Sequence, residues 1–430
     1  MNVLMFTNTF VPHVGGVTHS ILALRGELLR RGHRVLVVAP AYAGHRTDEP
    51  GVLRVPAIAD AGGTGYALPI PLSRHIRDEV EAFGPDVIHA HHPFLLGDTA
   101  LRTAASLGVP AVYTFHTRYD HYLGRAAGID GGRIERLARR LAEGFADMTD
   151  AVIAPSESVR ALIAAHGVTA PIRVIPTGID LARMGAGDRG AMRARLGLGA
   201  DDFAVGHLGR LTEEKNLRYL AEAVALFLGH HARARFILLG HGPMRAALDD
   251  HFAAAGVAAQ VHALDVLESD EIASFYAAMD VFAFASLSET QGLVVTEAMA
   301  AGVPVVALDA PGVREGLGRA GGGRLLPAGA RPEAFAAALA VFASLSVADL
   351  SRLRDAARTG AARFSLEAMG DGVETLYADL IRNGRQAEAP TARGVWTGAW
   401  AELTAEAEIV ENILHAIGAA LRPEPSEPAP

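Results

Sequence analysis

Cysteine is absent from this chain of 430 residues, which excludes a disulfide scaffold, a Cys-ligated zinc site and a thiol nucleophile together. The absence is compatible with a reducing compartment. Lysine is almost absent as well, because Lys215 is the one lysine among 39 basic residues and the others are arginine. Arg is therefore the default cation of this sequence, and the position of the single Lys needs an explanation.

Strongly basic and long apolar segments are missing too. The formal net charge is −9, and residues 1–180 carry as many Arg as Asp and Glu together, so a nucleic-acid partner is not expected. The longest charge-free apolar window, Phe335 to Ala348, is shorter than the roughly 20 residues of a membrane-spanning helix. The N-terminus shows no secretory signal. We expect a cytoplasmic protein that meets a membrane, if at all, peripherally on its inner face.

Hydrophobic content and length bound the architecture. The chain is 50% hydrophobic and 20% charged, and its length fits two domains of roughly 150–200 residues each plus appendages. Short apolar strand candidates alternate with helical patterns, and this rhythm restarts after residue 180. It predicts two Rossmann-like, doubly wound α/β domains. The strand candidates are Val3–Phe6, Val35–Ala39, Val87–His89, Ala111–Phe115, Ala151–Ala154, Ala204–Leu208, Arg235–Leu239, Gln260–Ala263, Val281–Ala285 and Val305–Ala307.

The predicted segments follow from this rhythm and from the composition of the C-terminal part. They are a first domain at 1–180, a second domain at 181–365, a helix at 366–383 that crosses back onto the first domain, a linker at 384–394, an amphipathic helix at 395–422 and a disordered Pro-rich tail at 423–430.

The amphipathic helix carries apolar residues alternately four and three apart, which is a heptad seam. The seam consists of Trp396, Trp400, Leu403, Ala407, Val410, Leu414, Ile417 and Leu421. Its acidic residues are Glu402, Glu406, Glu408 and Glu411. An acidic helix is a poor ligand for an anionic membrane, so we expect it to pack either on a second copy, forming a homodimer, or on its own body.

The loop after the first strand contains a glycine pair. Open parallel sheets bind ligands at the carboxyl ends of their strands, and Gly15-Gly16 lies there, before a helix. Such glycines let backbone N–H groups approach a phosphate, although a Gly-Gly turn is structural as often as it binds a ligand. The fingerprint G-x-G-x-x-G is absent at this turn, which counts against a nicotinamide enzyme.

Two further loops carry charged residues at predicted strand ends. The loop from Gly209 to Asn216 contains Arg210 and Lys215. A guanidinium and an ammonium group together can bind a diphosphate. The alternative is that Lys215 is a solvated loop residue. Ser286 to Pro304 contains Glu289, Gly292 and Glu297. There a helix start presents the N–H groups of residues 292–294 to a phosphate, while the two carboxylates accept hydrogen bonds from a ribose diol and from sugar hydroxyls.

These motifs resemble glycosyltransferase family 4, whose E-x7-E signature Glu289 and Glu297 match. The similarity extends to the glycine pair at 15–16, the segment at 209–215, Gly240-His241-Gly242-Pro243, His116-Thr117 and Pro176 to Asp180, and it covers residues 1 to 383. The resemblance implies a GT-B fold, in which two Rossmann-like domains face a central cleft, here with a C-terminal helical extension. It also implies retention at the anomeric carbon and no cofactor or metal, and no D-x-D pair occurs.

The resemblance also assigns roles residue by residue. Glu297 is expected to hold the ribose, Glu289 the transferred sugar, and Arg210 with Lys215 the leaving diphosphate, while His116 positions the reacting sugar and is not assigned as a base. The catalytic set is His116, Glu289, Arg210 and Lys215. The donor-binding set is Gly15, Gly16, Gly209, Arg210, Lys215, Gly240, Gly242, Glu289, Gly292, Leu293, Val294 and Glu297.

The segments at 91–97, 115–123 and 288–294 are similar to diacylglycerol glycosyltransferases, which implies a lipid hydroxyl as acceptor. UDP-glucose is the expected donor on its frequency in the family alone. The expected acceptor-binding residues are His13, His91, His92, Phe94, Arg118, Tyr119 and Tyr122. Arginines between Arg118 and Arg140, with Ile134, Leu137, Leu141 and Phe145, are expected to dock on anionic lipid; the alternative is that this helix packs its apolar face on the sheet.

Other functions stay open at this point. The histidines from His89 to His92 form a possible metal site that we do not favour, since no carboxylates accompany them. A soluble sugar or polysaccharide is the alternative acceptor. A non-catalytic sugar-nucleotide-binding protein, an epimerase or a phosphorylase are rival functions; phosphorylase chemistry needs a lysine for pyridoxal phosphate, and Lys215 already has a role.

Overall fold

The computed structural model describes residues 1–13, 15–44, 49–58, 67–70, 74–118, 131–318, 321–387 and 394–421. The chain forms two compact units, Met1–Pro176 with Met369–Pro430, and Thr177–Ala368. The strands are β1 (Asn2–Phe6), β2 (Arg34–Pro40), β3 (Val52–Val55), β4 (Ala57–Ile58), β5 (Leu68–Pro69), β6 (Val87–Ala90), β7 (Ala111–Thr114), β8 (Ala151–Ala154), β9 (Ile172–Val174), β10 (Phe203–Leu208), β11 (Ala234–Leu239), β12 (Val261–Leu264), β13 (Val281–Phe284), β14 (Val305–Leu308) and β15 (Gly323–Leu326).

Helices connect these strands in both units. They are α1 (Gly16–Arg30), α2 (Arg74–Phe83), α3 (Leu96–Leu107), α4 (Gly131–Asp147), α5 (Glu157–Ala165), α6 (Leu181–Gly185), α7 (Arg189–Arg195), α8 (Leu217–His230), α9 (Arg245–Ala254), α10 (Ile272–Ala278), α11 (Leu293–Ala300), α12 (Val313–Leu317), α13 (Pro332–Ala343), α14 (Val347–Ala361), α15 (Leu366–Ala387) and α16 (Gly394–Leu421).

The sheet of the first unit has seven parallel strands in the order β3-β2-β1-β6-β7-β8-β9. Strands β6, β7 and β8 are buried along their whole length, as expected for short apolar runs covered by helices on both faces. The strand order reverses at β1 and β6. In doubly wound sheets a ligand binds outside the carboxyl ends of the strands at such a point.

The sheet of the second unit has six parallel strands in the order β12-β11-β10-β13-β14-β15. Its order reverses at β10 and β13, where Val205 is paired with Val281. The loops after these two strands therefore leave the same edge side by side. Each predicted strand lies within an observed one, runs one residue past its end or is shifted by one residue. Strands β3, β4, β5, β9 and β15 escaped prediction because none of them is fully buried.

The boundary between the units lies after Pro176, whereas the sequence predicts it after residue 180. Ile179 explains the difference, because it bridges Ser365 in parallel and its N–H donates to the carbonyl of Phe364 at 2.7 Å. The segment that precedes α6 is thus tied to the end of the second unit. Helix α15 extends to Ala387, past the predicted end at 383.

Helix α16 packs on α3 and α4 of the first unit. Ile409 and Ala416 are 3% and 1% exposed on the packed face, Glu406 pairs with Arg102, and the side-chain amide of Asn412 donates to the carbonyl of Leu141 at 3.1 Å. The helix therefore covers its own body, but with a different face from the predicted seam.

The seam points outward wherever its side chains are described. Leu403, Val410, Leu414 and Ile417 are 61%, 46%, 64% and 42% exposed. Ile409 and Ala416 are one heptad apart and small or β-branched, so they form a narrow contact stripe beside the wider seam. The side chains of Trp396 and Trp400 lie outside the described residues.

No single helix among the described residues is long and apolar enough to span a membrane. One helix pair, Pro332–Ala343 with Val347–Phe364, has the length and composition of a span but is bent by 112°.

Candidate functional site

The loops after β10 and β13 bring together the lysine and the first glutamate of the sequence motifs. The Lys215 ammonium donates to Glu289 Oε1 at 2.6 Å, and the two side chains are 21% and 15% exposed. Two hydrogen bonds fasten the loops: Asn216 Nδ2 donates to the Ala285 carbonyl at 3.1 Å, and the Ser288 hydroxyl to the Glu214 carbonyl at 3.2 Å. The contact is therefore built into the loop geometry.

Opposing effects set the ionisation of Glu289. Burial raises its pKa, but the charge and hydrogen bond of Lys215 and the nearby charge of Arg210 outweigh burial, so the pKa lies below the ordinary value of 4.5. The carboxylate is charged at neutral pH. Arg210 itself is 42% exposed and donates to Glu214 at 3.0 Å.

Glycines allow the loop after β11 to lie directly on the loop that carries Arg210. A Cβ at Gly240 would stand 1.9 Å from the carbonyl oxygen of Gly209, and one at Gly242 would stand 2.4 Å from that of Leu211. Leu211 N–H donates to the His241 carbonyl at 2.9 Å. Backbone thus packs on backbone here, which explains the Gly-x-Gly spacing.

Helix α11 begins beside Glu289. Gly292 is its N-cap and has the left-handed conformation, with φ 71°. Because the helix starts here, the N–H groups from Gly292 to Val294 have no helix carbonyl one turn earlier to which they could donate. Such a helix start attracts anions. Leu293 and Val294 form its first turn, as the sequence predicts.

Gln291 is a residue of this loop that the sequence did not single out. It is buried; its Nε2 donates to the Thr177 carbonyl at 2.9 Å, and Thr177 N–H donates back to its Oε1 at 2.7 Å. This reciprocal pair holds the loop in place. A glutamine beside a glycine carries no pattern from which such a distant partner can be inferred.

Glu297 is the fifth residue of α11 and is half-buried. The hydroxyl of Tyr276, on α10, donates to Glu297 Oε2 at 2.8 Å.

His207 is a buried histidine on β10. Its Nδ1 lies 2.9 Å from the Ala283 carbonyl, and burial lowers its pKa to about 4. The sequence singled out neither Tyr276 nor His207, because both look like core residues.

In the first unit, His89 on β6 and His91 and His92 after it are buried, and the half-buried His116 after β7 lies against them. His91 Nδ1 and His116 Nε2 are 2.9 Å apart, and their rings stack at 25°. His89 lies within hydrogen-bond distance, 2.6 Å, of both Tyr377 and Thr114. Burial lowers the pKa of His89 to about 3 and those of His91 and His116 well below 6.5, the latter two also through the neighbouring histidines. The rings are neutral at physiological pH.

The loop that carries His92 and Phe94 is fixed by Asn8. Asn8 N–H donates to His92 Nδ1 at 3.1 Å, and its side-chain amide donates to the Phe94 carbonyl at 2.9 Å. Burial lowers the pKa of His92 to about 4. Across the described part of the chain, no group of three His, Asp or Glu has the arrangement of a metal site.

The remaining predicted residues of this unit lie near α1. Gly15 is the N-cap of α1 and Gly16 its first residue, and the His13 carbonyl accepts from the Thr18 hydroxyl at 2.9 Å. His13 thus belongs to the turn that precedes the helix. Arg118 is the last described residue after β7, and Tyr119, Tyr122 and Arg125 lie outside the described residues.

Helix α4 differs from the predicted lipid-docking surface. Phe145 is fully buried in the core, so it is not available to lipid, and a Cβ on Gly144 would stand 1.9 Å from Asn412 Oδ1 of α16. The apolar face packs on its own unit because the sheet and α16 both cover it. Arg139 and Arg140 flank the buried Glu143 at 3.7 and 3.2 Å.

Comparisons with known proteins agree with the motifs. Glycosyltransferase Family 4 matches residues 14–183, and Glycosyl transferases group 1 matches residues 202–344. The alpha-monoglucosyldiacylglycerol synthase of Streptococcus pneumoniae is 30% identical over 71% of this chain and 71% of its own. A GDP-mannose-dependent alpha-mannosyltransferase of Mycolicibacterium smegmatis is 33% identical over 73% of this chain and 81% of its own.

Solved structures show the same fold. Anabaena HepE in complex with UDP-glucose matches with a TM-score of 0.70 at 22% identity, over 88% of this chain and 100% of that one. Sucrose-phosphate synthase from Thermosynechococcus elongatus matches with a TM-score of 0.72 at 20% identity, over 89% and 99%. The family resemblance drawn from the motifs is thereby confirmed: this chain belongs to glycosyltransferase family 4 and is a hexosyltransferase with the GT-B fold.

Proposed function

We propose that this enzyme moves a hexose, with retention, from a nucleotide sugar such as UDP-glucose to the hydroxyl of a lipid such as diacylglycerol. The observation that carries the proposal is the contact of Lys215 with Glu289 beside the start of α11. It sets a cation, a carboxylate and helix N–H groups at one sheet edge. A diphosphate and a sugar need these three groups side by side.

The transfer step needs charge stabilisation more than proton transfer. The bond between the anomeric carbon and the phosphate oxygen breaks, the acceptor oxygen bonds to that carbon on the same face, and the departing phosphate oxygen takes the acceptor proton. Arg210, Lys215 and the N–H groups of α11 offset the negative charge that grows on the diphosphate. Because these groups are already oriented, little reorganisation accompanies the step.

We assign no metal or other cofactor to this reaction, because Arg210 and Lys215 supply the positive charge that a divalent cation brings elsewhere. The predicted role of His116 is to position the reacting sugar. Burial keeps its imidazole neutral, which suits a hydrogen bond to a sugar hydroxyl. His13, His91, His92, Phe94, Arg118, Tyr119 and Tyr122 remain the predicted acceptor-binding residues.

The choice of acceptor and donor draws on the relatives. The similar proteins of Streptococcus pneumoniae and Acholeplasma laidlawii are both alpha-monoglucosyldiacylglycerol synthases, which favours a lipid acceptor and a glucosyl donor. GDP-mannose-dependent relatives at comparable identity make GDP-mannose the second donor to test. A soluble sugar is the second acceptor.

The test offers UDP-glucose and GDP-mannose to the full chain, with diacylglycerol in mixed micelles or with free sugars, and identifies the released nucleotide and the product. UDP release that depends on diacylglycerol, and that persists in EDTA, supports the proposal. Release that depends on free sugars alone contradicts the lipid acceptor, and loss of activity in EDTA contradicts the metal-free mechanism.

A lipid acceptor implies contact with a membrane surface. We propose peripheral association through the arginines of the first unit, of which Arg133, Arg136, Arg139 and Arg140 lie on α4. Co-sedimentation at low salt with anionic vesicles but not with neutral vesicles is the expected result. Equal sedimentation with both would contradict it.

We also propose that the outward seam of α16 pairs with a second copy. The opposite face is already held on α3 and α4 through Ile409 and Ala416, so the helix has no other surface on which to bury its aliphatic residues. A two-fold axis makes one such ridge complementary to itself. The exposed Glu408 and Glu411 beside the ridge disfavour an anionic lipid surface as its partner.

A further inference from the structure

Tyr276 is a buried tyrosine whose hydroxyl contacts Glu297 in the second unit. Its ring is completely buried in the core, with its centroid 5.8 Å from that of Phe282. The hydroxyl donates to Glu297 Oε2 at 2.8 Å. One polar atom thus lies within an otherwise apolar core, and it meets a carboxylate to which the family resemblance assigns the ribose.

The cost of this arrangement indicates that the hydroxyl has a purpose beyond packing. A phenylalanine fills nearly the same volume in a core, whereas a buried hydroxyl must find a partner to offset its lost hydration. In the same core, Phe275 and Phe282 fill their places without a hydroxyl.

Glu297 gains an orientation from the contact. A glutamate side chain on a helix surface samples several rotamers, and holding one in place costs conformational entropy. The hydrogen bond from Tyr276 fixes Oε2 toward the core, and among the described residues no other hydrogen bond to this carboxylate is found. Within the described part of the chain no hydrogen bond to Oε1 is found, which leaves this oxygen for a diol to donate to.

We propose that Tyr276 is a positioning residue for the ribose of the donor: its hydroxyl holds one oxygen of Glu297 so that the other accepts from the ribose diol. This inference rests on the proposed function, in which Glu297 binds the ribose. The nucleotide therefore loses affinity when either the tyrosine hydroxyl or the ribose 2′-hydroxyl is removed, and the two losses overlap.

The hydroxyl remains a donor over the working range of the enzyme. Burial, with the charge and hydrogen bond of Glu297, raises the pKa of Tyr276 well above 10. The proton therefore stays on the tyrosine, and the direction of the hydrogen bond is fixed.

The experiment measures, by calorimetry, the affinity of the full chain for UDP and GDP and then for the 2′-deoxy form of whichever binds. We expect Tyr276→Phe to weaken binding of the ribonucleotide about tenfold and to leave the deoxynucleotide nearly unchanged, so that the preference for ribose is lost. Glu297→Gln should lose it as well. In the double variant the two changes should not add, because both act on the same contact.

A buried tyrosine of the other unit provides the control. Tyr113→Phe removes a hydroxyl from the core of the first unit and should keep the preference for ribose. Equal weakening of both nucleotides by Tyr276→Phe would assign the tyrosine a structural role and overturn the inference, as would an unchanged preference.

The outcomes also separate this inference from the proposed function. If the wild-type protein binds neither UDP nor GDP, the proposed function fails, and the inference fails with it. If Glu297→Gln removes the ribose preference and Tyr276→Phe does not, the function stands and only the role of Tyr276 is refuted. If Tyr276→Phe does not fold, the hydroxyl is needed for the core and the positioning role is likewise rejected.

Discussion

Lys215 and Glu289 form an ion pair within loops that leave the two side chains only 21% and 15% exposed. Taking two charges out of water is costly, and their attraction offsets this only when the geometry is good; here the atoms are 2.6 Å apart. A protein that needed only stability would have little reason to hold such a pair in a loop. A site for a diphosphate and a sugar needs both charges oriented in advance.

The neutral histidines lead to a pH prediction. Burial holds the pKa of His116 and His91 well below 6.5, so both are deprotonated at and above that pH, and protonation would reduce activity only as the pH falls through these lowered values. We expect kcat to change by less than about twofold between pH 6 and 8. A pH-rate profile tests this, and an acidic limb with its midpoint near 6.5 would contradict it.

Sequence reasoning predicts which charged residues stand at the strand ends, but it does not predict the residues that hold them. Glu289, Arg210 and Lys215 follow strands whose apolar runs are easy to recognise, and the sheet gathers strand ends at one edge. Tyr276 and Gln291 escaped because their partners, Glu297 and Thr177, depend on how helices and loops pack. No local pattern records such a contact.

Close backbone packing, rather than a side-chain contact, restricts which residues the loop after β11 can contain. Gly240 has φ 151°, and a Cβ there would stand 1.9 Å from the Gly209 carbonyl. We expect Gly240→Ala to lower the free energy of unfolding by about 2 kcal/mol or more and to weaken donor binding, because the loop with Arg210 must shift.

Gly229 offers a matched control for that loop. It lies in α8, and a Cβ there meets nothing within 4 Å, so Gly229→Ala should be neutral or stabilising. Thermal unfolding measures both variants. Equal melting temperatures for the two would show that the loop adapts and that the close backbone packing is unimportant.

Helix α16 illustrates where a periodic pattern misleads. The heptad seam predicts a long helix correctly, but the residues that bury against α3 and α4 are Ile409 and Ala416, between the seam positions. Periodicity identifies apolar stripes and cannot say which stripe its own body covers, because that depends on the shape of the surface beneath.

The outward seam yields a prediction on oligomeric state. We expect the wild-type protein to be a dimer by light scattering after size-exclusion chromatography, and Leu414→Glu to make it a monomer, since the charge would be buried in the interface. Val347→Glu is the control, because Val347 is 88% exposed on the other unit. A monomeric wild type, or a dimer unaffected by Leu414→Glu, would contradict the pairing.

The burial of the strands explains why most of the sheet in each unit can be predicted from the sequence. Buried parallel strands must be continuous apolar runs, since both faces are covered, and both units obey this at their central strands. The edge strands β3, β9 and β15 do not, because solvent reaches them and their residues are mixed. The strand prediction therefore held at the centre of each sheet and failed at three of the four edges, while the fourth edge strand, β12, was predicted one residue early.

The central claim is that the donor binds the second unit through the single lysine and the two glutamates. It is tested most directly by donor binding and kcat/KM for Lys215→Ala beside Arg218→Ala, a control whose side chain is 69% exposed and pairs with Glu213. We predict that Lys215→Ala lowers kcat/KM about a hundredfold or more and donor affinity about tenfold, while Arg218→Ala leaves both unchanged. Wild-type binding and turnover in Lys215→Ala would contradict the assignment of this site.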